Sequence, residues 1–339
     1  MEDTNSSYLQ TNEASINNCL YKKFLESIGL QKDQMVLPIF VQEKEEQELE
    51  IQCMPGTARV SMRKLTDHIQ SILNVGLSSI IIFGIPTQRD KNGSAAANKN
   101  GVVQKALRKI KKEFGDALNT ITDVCLCQYN MSGHCGIVAD HAVNNSGAVD
   151  NDATLSLLAD TALSHAEAGA DIVAPSAMMD GQVITIRNSL NDNGFRRIKI
   201  LSYSAKHCSS LYTPFRNVAY SRNIYDYNKI DKSSYQVSYT NTRQILREIE
   251  ADIAEGADMV MIKPAMAYLD LVYMIKEKLA FPTAVQNVSG EYAMIKAAAL
   301  HGWINEEEWK VNSIASIKRS GADKIISYFS RDIARYLGD

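Results

Sequence analysis

Along this chain, short runs of nearly continuous apolar residues alternate with stretches in which apolar residues recur every three or four positions. Eight runs are of the first kind: Met35–Val41, Ser79–Gly84, Ile121–Cys127, Asp171–Ser176, Ile198–Ser204, Asp258–Lys263, Thr283–Ser289 and Lys324–Phe329. Such runs suit strands buried on both faces, as in a parallel sheet. Between them, Met62–Val75, Thr154–Ala168, Thr242–Glu255, Leu269–Leu279 and Glu306–Arg319 carry the helical period. Regular alternation of this kind predicts parallel strands joined by crossover helices.

Three helix-to-strand junctions share one motif. Glu167-Ala-Gly-Ala-Asp171, Glu255-Gly-Ala-Asp258 and Arg319-Ser-Gly-Ala-Asp323 each close a helical stretch and open an apolar run. Gly169, Gly256 and Gly321 then fall just past helix ends, where left-handed backbone favours glycine. Eight strand–helix units in 339 residues fit an α/β fold of the (β/α)8 TIM-barrel type better than an open doubly wound sheet. Residues 35–339 would form the barrel and residues 1–34 an N-terminal arm. Within the arm, residues 1–16 read as disordered. Leu20, Phe24, Leu25 and Ile28 mark a short amphipathic helix that could pack on its own barrel or on a neighbouring subunit.

Composition narrows the function without naming it. The chain is 45% hydrophobic and 22% charged, with a net charge of −3, an ordinary soluble composition that points to no nucleic-acid or membrane partner. The basic cluster Lys105–Lys112 has apolar residues at helical spacing and reads as the wet face of a helix. No apolar leader opens the sequence and no apolar run reaches membrane-spanning length. Six irregularly spaced cysteines do not form a disulfide framework in a chain this long. A reducing cytoplasm is the expected location.

In a barrel of this kind, function belongs at the C-terminal ends of the strands. Asp123, Cys125, Cys127, Ser176, Lys206, Lys263, Ser289 and Tyr328 gather there. Cys125 and Cys127, two apart on an apolar run, would share a face, and Cys135 follows in a glycine-containing loop. Three soft ligands spaced C-x-C-x7-C suit zinc and leave a fourth position open, the condition for a catalytic ion. The plainer alternative is two core cysteines and an unrelated loop thiol. Lys206 and Lys263 each end an apolar run. An amine at the mouth of an apolar barrel is partly desolvated, and a second ammonium nearby lowers its pKa further, so a neutral amine becomes available to form a Schiff base with a ketone. Arg216 follows Tyr212-Thr-Pro-Phe215, and about 217–241 lack apolar periodicity, as a lid would. Lys232, Tyr235 and Gln236 lie on that segment and could close over an anionic substrate.

A set of motifs in order carries a resemblance. They are Asp123-Val-Cys-Leu-Cys127, His134-Cys135-Gly136, Val149-Asp-Asn-Asp152, Ala174-Pro-Ser176, Met178-Met-Asp-Gly181, Ser202-Tyr-Ser-Ala-Lys206, Pro214-Phe-Arg216, Tyr235-Gln236, Glu255–Pro264, Tyr268-Leu-Asp270 and Val288-Ser-Gly-Glu-Tyr292. Together they resemble the porphobilinogen synthase (δ-aminolevulinate dehydratase) family over roughly Met35 to Leu337. The resemblance implies a carbon–oxygen lyase of tetrapyrrole and heme biosynthesis. Such an enzyme condenses two molecules of 5-aminolevulinate into porphobilinogen on a TIM barrel that assembles into homo-octamers. It makes Lys263 the Schiff-base lysine and Lys206 the second active-site lysine. Ser289 and Tyr328 would hold the first carboxylate, with Asp123 and Ser176 near the first amino group. Arg216, Lys232 and Gln236 would hold the second carboxylate. Cys125, Cys127 and Cys135 match the zinc-binding subset, and Glu248 falls where some members support an allosteric magnesium.

Five positions depart from that family. Ala177 stands for an aspartate, Gln182 for an arginine, Thr213 for a glycine, Gln286 for a tyrosine and Ser132 for a histidine of the zinc loop. Loss of an acid and a base five residues apart suggests a lost ion pair, whereas loss of the tyrosine would reshape a pocket wall. Two readings follow: a divergent zinc-dependent member, or a paralogue that condenses a different amino ketone or keto acid with the same lysine and zinc machinery. A catalytically silent homologue is disfavoured by the presence of both lysines, all three cysteines and Arg216.

Overall fold

The computed structural model describes residues 18–44, 49–139, 149–220 and 231–338. The expectations for residues 1–16 and for the middle of the lid, 221–230, lie outside them. Eight parallel strands close into a ring. They are β1 (Met35–Gln42), β2 (Ser79–Ile85), β3 (Asn119–Val124), β4 (Ile172–Pro175), β5 (Lys199–Lys206), β6 (Met259–Lys263), β7 (Thr283–Asn287) and β8 (Lys324–Ser327). Each pairs with its sequence neighbour, and β8 pairs back to β1 through Met35 and Ile325. The (β/α)8 barrel read from the alternation is therefore the fold.

The Gly-Ala-Asp repeat turns out to be a structural device used three times. Gly169, Gly256 and Gly321 adopt φ of +101°, +102° and +109°, the left-handed region in which a side chain is strained. Each following aspartate opens a strand and accepts a backbone N–H from its neighbour: Thr120 to Asp171 at 2.7 Å, Ile200 to Asp258 at 2.8 Å, Thr283 to Asp323 at 2.8 Å. A basic side chain completes each junction: Lys111 on Asp171, Arg187 on Asp258, Lys276 on Asp323. Charge-assisted bonds to backbone N–H groups thus fix strand register at the end of the barrel opposite the expected chemistry.

The helix over residues 18–27, α1, docks on this same barrel. Leu25 is fully buried, and Tyr21 packs on Tyr336 with ring centroids 5.4 Å apart. Leu20 and Phe24 remain exposed.

Three strands end two or more residues before their apolar runs do. β3 stops at Val124, so Cys125 and Cys127 sit on a turn and not on a shared strand face. β7 stops at Asn287, and Ser289 is the first residue of a helix, Ser289–Leu300. Tyr328 lies one residue past β8. The reason is common to all three. Leu126, Val288 and Phe329 are buried turn or cap residues, and apolar character reports burial, not backbone geometry.

Candidate active site at the barrel mouth

Lys206 and Lys263 lie opposite each other in register at the C-terminal ends of β5 and β6. The pairing slips by one residue between Ser202 and Ala205 against Val260 and Ile262, a β-bulge. A bulge re-aims side chains, and here Tyr203 and Lys206, three apart, both reach the interior: the Lys206 Nζ is 5.7 Å from the Tyr203 ring centre. Lys263 Nζ lies 5.2 Å from the rings of Tyr203 and Tyr212 and 5.5 Å from Phe215. Burial first, and the Lys206 ammonium second, bring the Lys263 pKa down to about 7. An ordinary lysine is neutral in only roughly one molecule in a few thousand at pH 7. Lowered this far, the Lys263 amine is available as a neutral nucleophile near neutral pH.

The three thiols form a compact cluster although their backbone is not a strand. Cys125 and Cys127 sulfurs are 3.2 Å apart, and all three lie within 4.8 Å of one another. A tetrahedral zinc with bonds of about 2.3 Å would hold sulfurs about 3.8 Å apart, so the donor set fits that ion with little adjustment. Hydrogen bonds from Cys125 and Cys127, with Lys206 and Lys232 beside it, hold the Cys135 thiol well below its ordinary range. The Cys135 N–H donates to the Tyr235 hydroxyl at 3.2 Å, and the same hydroxyl meets His134 Nδ1 at 3.1 Å. Ser132 bonds Asn130 at 3.1 Å. Among the described residues, no other group of His, Cys, Asp and Glu is close enough to hold a metal.

Cys127, Cys135, Lys206 and Lys263 line one small cavity, together with Asp123, Ser176, Arg216, Lys232 and Gln236. Amines, thiols and cationic lid residues therefore meet within a small molecule's reach. Lys206 donates to the Ser176 carbonyl at 2.6 Å, and Lys232 Nζ lies 3.5 Å from Cys135 Sγ. Asp123 accepts from Gln128 at 3.0 Å, and burial raises its pKa against the pull of Lys206. Arg216 rides over the Tyr212 ring on a helix, Thr213–Tyr220, that the lid reading did not foresee. Ser289 and Tyr328 do not line this cavity. Ser289 Oγ accepts from the Phe215 N–H at 3.0 Å, and the Tyr328 hydroxyl is buried with no partner among the described residues.

Glu248 lies elsewhere. It lines a second, larger cavity with Asp180, Gln182 and Asp252. Burial, then Asp180, raises its pKa, and no cluster of three metal donors forms there among the described residues. Of the departures, Ala177 and Gln182 are both buried, where an acid and a base would persist only as a pair. Gln286 is buried too, yet it does not line the smaller cavity. Thr213 opens the lid helix, its hydroxyl donating to the Ser210 carbonyl at 2.7 Å.

The geometry can be set beside known proteins. The family model described as delta-aminolevulinic acid dehydratase matches residues 11–336. The chain belongs to that family. The delta-aminolevulinic acid dehydratase of Archaeoglobus fulgidus is 47% identical over 309 residues, covering 91% of this chain and 92% of that protein. That of Halalkalibacterium halodurans is 42% identical, covering 94% of each. The crystal structure of the Toxoplasma gondii enzyme, in complex with the reaction product porphobilinogen, superposes with a TM-score of 0.85 at 36% identity. It covers 91% of this chain and 85% of that one. The chain is thus an enzyme of the delta-aminolevulinic acid dehydratase type, a lyase.

Several dehydratase-site groups were not read as functional from the sequence. Tyr203 faces both amines only because of the bulge, and no sequence signal marks a bulge. Gln128 on Asp123 and Tyr220 beside Lys232 are polar tips on apolar-looking segments. Their signal was position alone, next to residues already chosen.

Proposed function

We propose that this chain condenses two molecules of 5-aminolevulinate into porphobilinogen, with loss of two waters, through an imine on Lys263. The observation that carries the proposal is one cavity lined by two lysines, one with its pKa brought down to about 7, and by Cys127 and Cys135 of the three-thiol cluster. The neutral Lys263 amine attacks the first ketone and one water leaves, and the resulting imine makes the neighbouring carbon acidic. Asp123 and Lys206 flank that centre, where a carboxylate and an ammonium can hold and pass protons. Arg216, Lys232 and Gln236 supply donors for a second carboxylate and bring the two substrates together. Cys125, Cys127 and Cys135 would hold zinc, whose chemistry when bound is that of a Lewis acid toward the second ketone. Assembly into homo-octamers is part of the same proposal, checked by light scattering. A role for Glu248 toward magnesium is also part of it, checked by titrating the zinc-loaded enzyme with magnesium.

Purified protein supplied with zinc and 5-aminolevulinate is expected to give the porphobilinogen colour reaction. Borohydride added during turnover should leave a mass increment on Lys263. The competing reading, a different amino ketone on the same lysine, predicts a reducible adduct but no porphobilinogen. Absence of any adduct on Lys263 defeats both.

A further inference from the structure

The backbone that carries Lys263 is held from both sides. Its carbonyl accepts the His207 N–H at 2.9 Å and the Tyr212 hydroxyl at 3.1 Å, and meets His207 Nδ1 at 3.2 Å. The next residue, Pro264, has no N–H. The first amides past the lysine belong to Ala265 and Met266, and both donate to one buried carboxylate, Glu291 Oε1, at 3.1 and 2.5 Å. The other oxygen of Glu291 accepts the Val288 N–H at 2.6 Å and lies 3.4 Å from the Asn287 side-chain nitrogen. Asn287 in turn accepts from Ser327 at 2.9 Å.

A glutamate at the third position of a helix needs only the N–H of the capping residue to close that helix end. Glu291 does this through Val288 and does more. Its second oxygen reaches across to a different strand end, where nothing about helix capping requires it. A carboxylate 2% exposed is costly unless its lone pairs are filled, and here four donors, three of them backbone amides, fill them. We infer that Glu291 is a positioning residue for the proposed Schiff-base lysine, fixing the Lys263 backbone and so the point from which its amine reaches the substrate ketone. The inference rests on the proposed imine at Lys263. Attack depends on placement within about 0.5 Å, and a misplacement near 1 Å costs roughly 10²-fold.

The test uses full-length, zinc-loaded enzyme. In Glu291→Gln one acceptor oxygen becomes an NH2, so either the Val288 side or the Ala265–Met266 side must lose its acceptor. The expected result is a tenfold or greater fall in kcat and in the rate of borohydride-trapped imine at Lys263, with KM and zinc per chain within twofold of wild type. Glu291→Asp keeps both oxygens on a shorter stem and should fall between. A fall in melting temperature with trapping and kcat unchanged would leave Glu291 as a helix cap only and overturn the inference. If wild type itself forms no Lys263 adduct, the proposed function fails and the inference falls with it, whereas a normal wild-type adduct and an equally fast Gln variant sink the inference alone. Amide exchange in wild type gives a reading independent of any variant. Ala265 and Met266 should exchange as slowly as β6, and fast exchange there beside a protected strand overturns the clamp.

Discussion

Lys206 and Lys263 are the same side chain, in register, on neighbouring strands, and their surroundings drive them apart. Lys263 faces the rings of Tyr203, Tyr212 and Phe215, which fill its surroundings without taking its proton. Lys206 donates to the Ser176 carbonyl and sits near Cys135. Burial opposes its charge too, but Cys135, Cys125, Cys127 and Asp123 together hold its pKa above the ordinary lysine value. On the proposed function, Lys263 is suited to nucleophilic attack while Lys206 stays charged beside it, and the Lys206 charge helps keep Lys263 neutral. Identity at a strand end says little, and the partners decide the chemistry.

Exchanging either lysine for methionine breaks the comparison most directly. Lys263→Met is expected to reduce turnover to background and to remove the borohydride adduct, with circular dichroism unchanged, because a methionine fits an aromatic-lined pocket. An adduct surviving on another lysine would mean the nucleophile was misassigned. Next in size is Cys127→Ala. Loss of a ligand should weaken zinc binding by more than the roughly 10–100-fold seen when only a ligand's orienting partner is changed. Zinc per chain, measured by mass spectrometry after dialysis, and activity should fall together. Full turnover by a zinc-free variant would refute the thiol site.

Lys206→Met is expected to cost roughly 10²-fold in kcat, in the range for a displaced acid–base group, and to move the pH profile in a stated direction. Lys263 attacks when neutral, so imine formation rises with pH through its pKa near 7. Removing a neighbouring ammonium raises that pKa, so the acid limb should shift to higher pH. No shift would show that the Lys206 charge does not tune Lys263, and a shift to lower pH would reverse the sign of the coupling.

The parts of this arrangement that the sequence exposed are those that interrupt a pattern. Lysines ending apolar runs and thiols in tight spacing are visible because the run around them is otherwise apolar, and the barrel is visible because buried parallel strands have no polar face. What stayed hidden depends on how strands meet. The β5–β6 bulge turns Tyr203 inward, and a residue slip of that kind leaves the string of side chains unchanged. The helices Gln182–Asp192, Thr213–Tyr220, Ser289–Leu300 and Ser330–Leu337 are not among the stretches whose helical period is plain in the sequence. The third was partly absorbed into the apolar run of β7, and the first begins Gln-Val-Ile-Thr-Ile, a β-branched stretch that prefers strand on propensity alone. The link from Glu291 to Ala265 and Met266 joins residues far apart in the chain, and no local pattern encodes it.

The smallest effect is expected at Gln286, where the sequence resemblance implies a tyrosine. It sits on β7 with 1% exposure, and its side-chain oxygen has no partner among the described residues. Because it does not line the cavity that holds both lysines, Gln286→Tyr should act through packing more than through recognition. An added ring in a closed core costs about 1–3 kcal/mol, which for a chain of this size lowers the melting temperature by roughly 1–4 °C. kcat/KM for 5-aminolevulinate should change by less than about threefold, under 1 kcal/mol of transition-state binding. A tenfold or greater gain would reverse that ranking. It would show that position 286 acts on substrate recognition and would favour the reading in which this chain takes a different amino ketone.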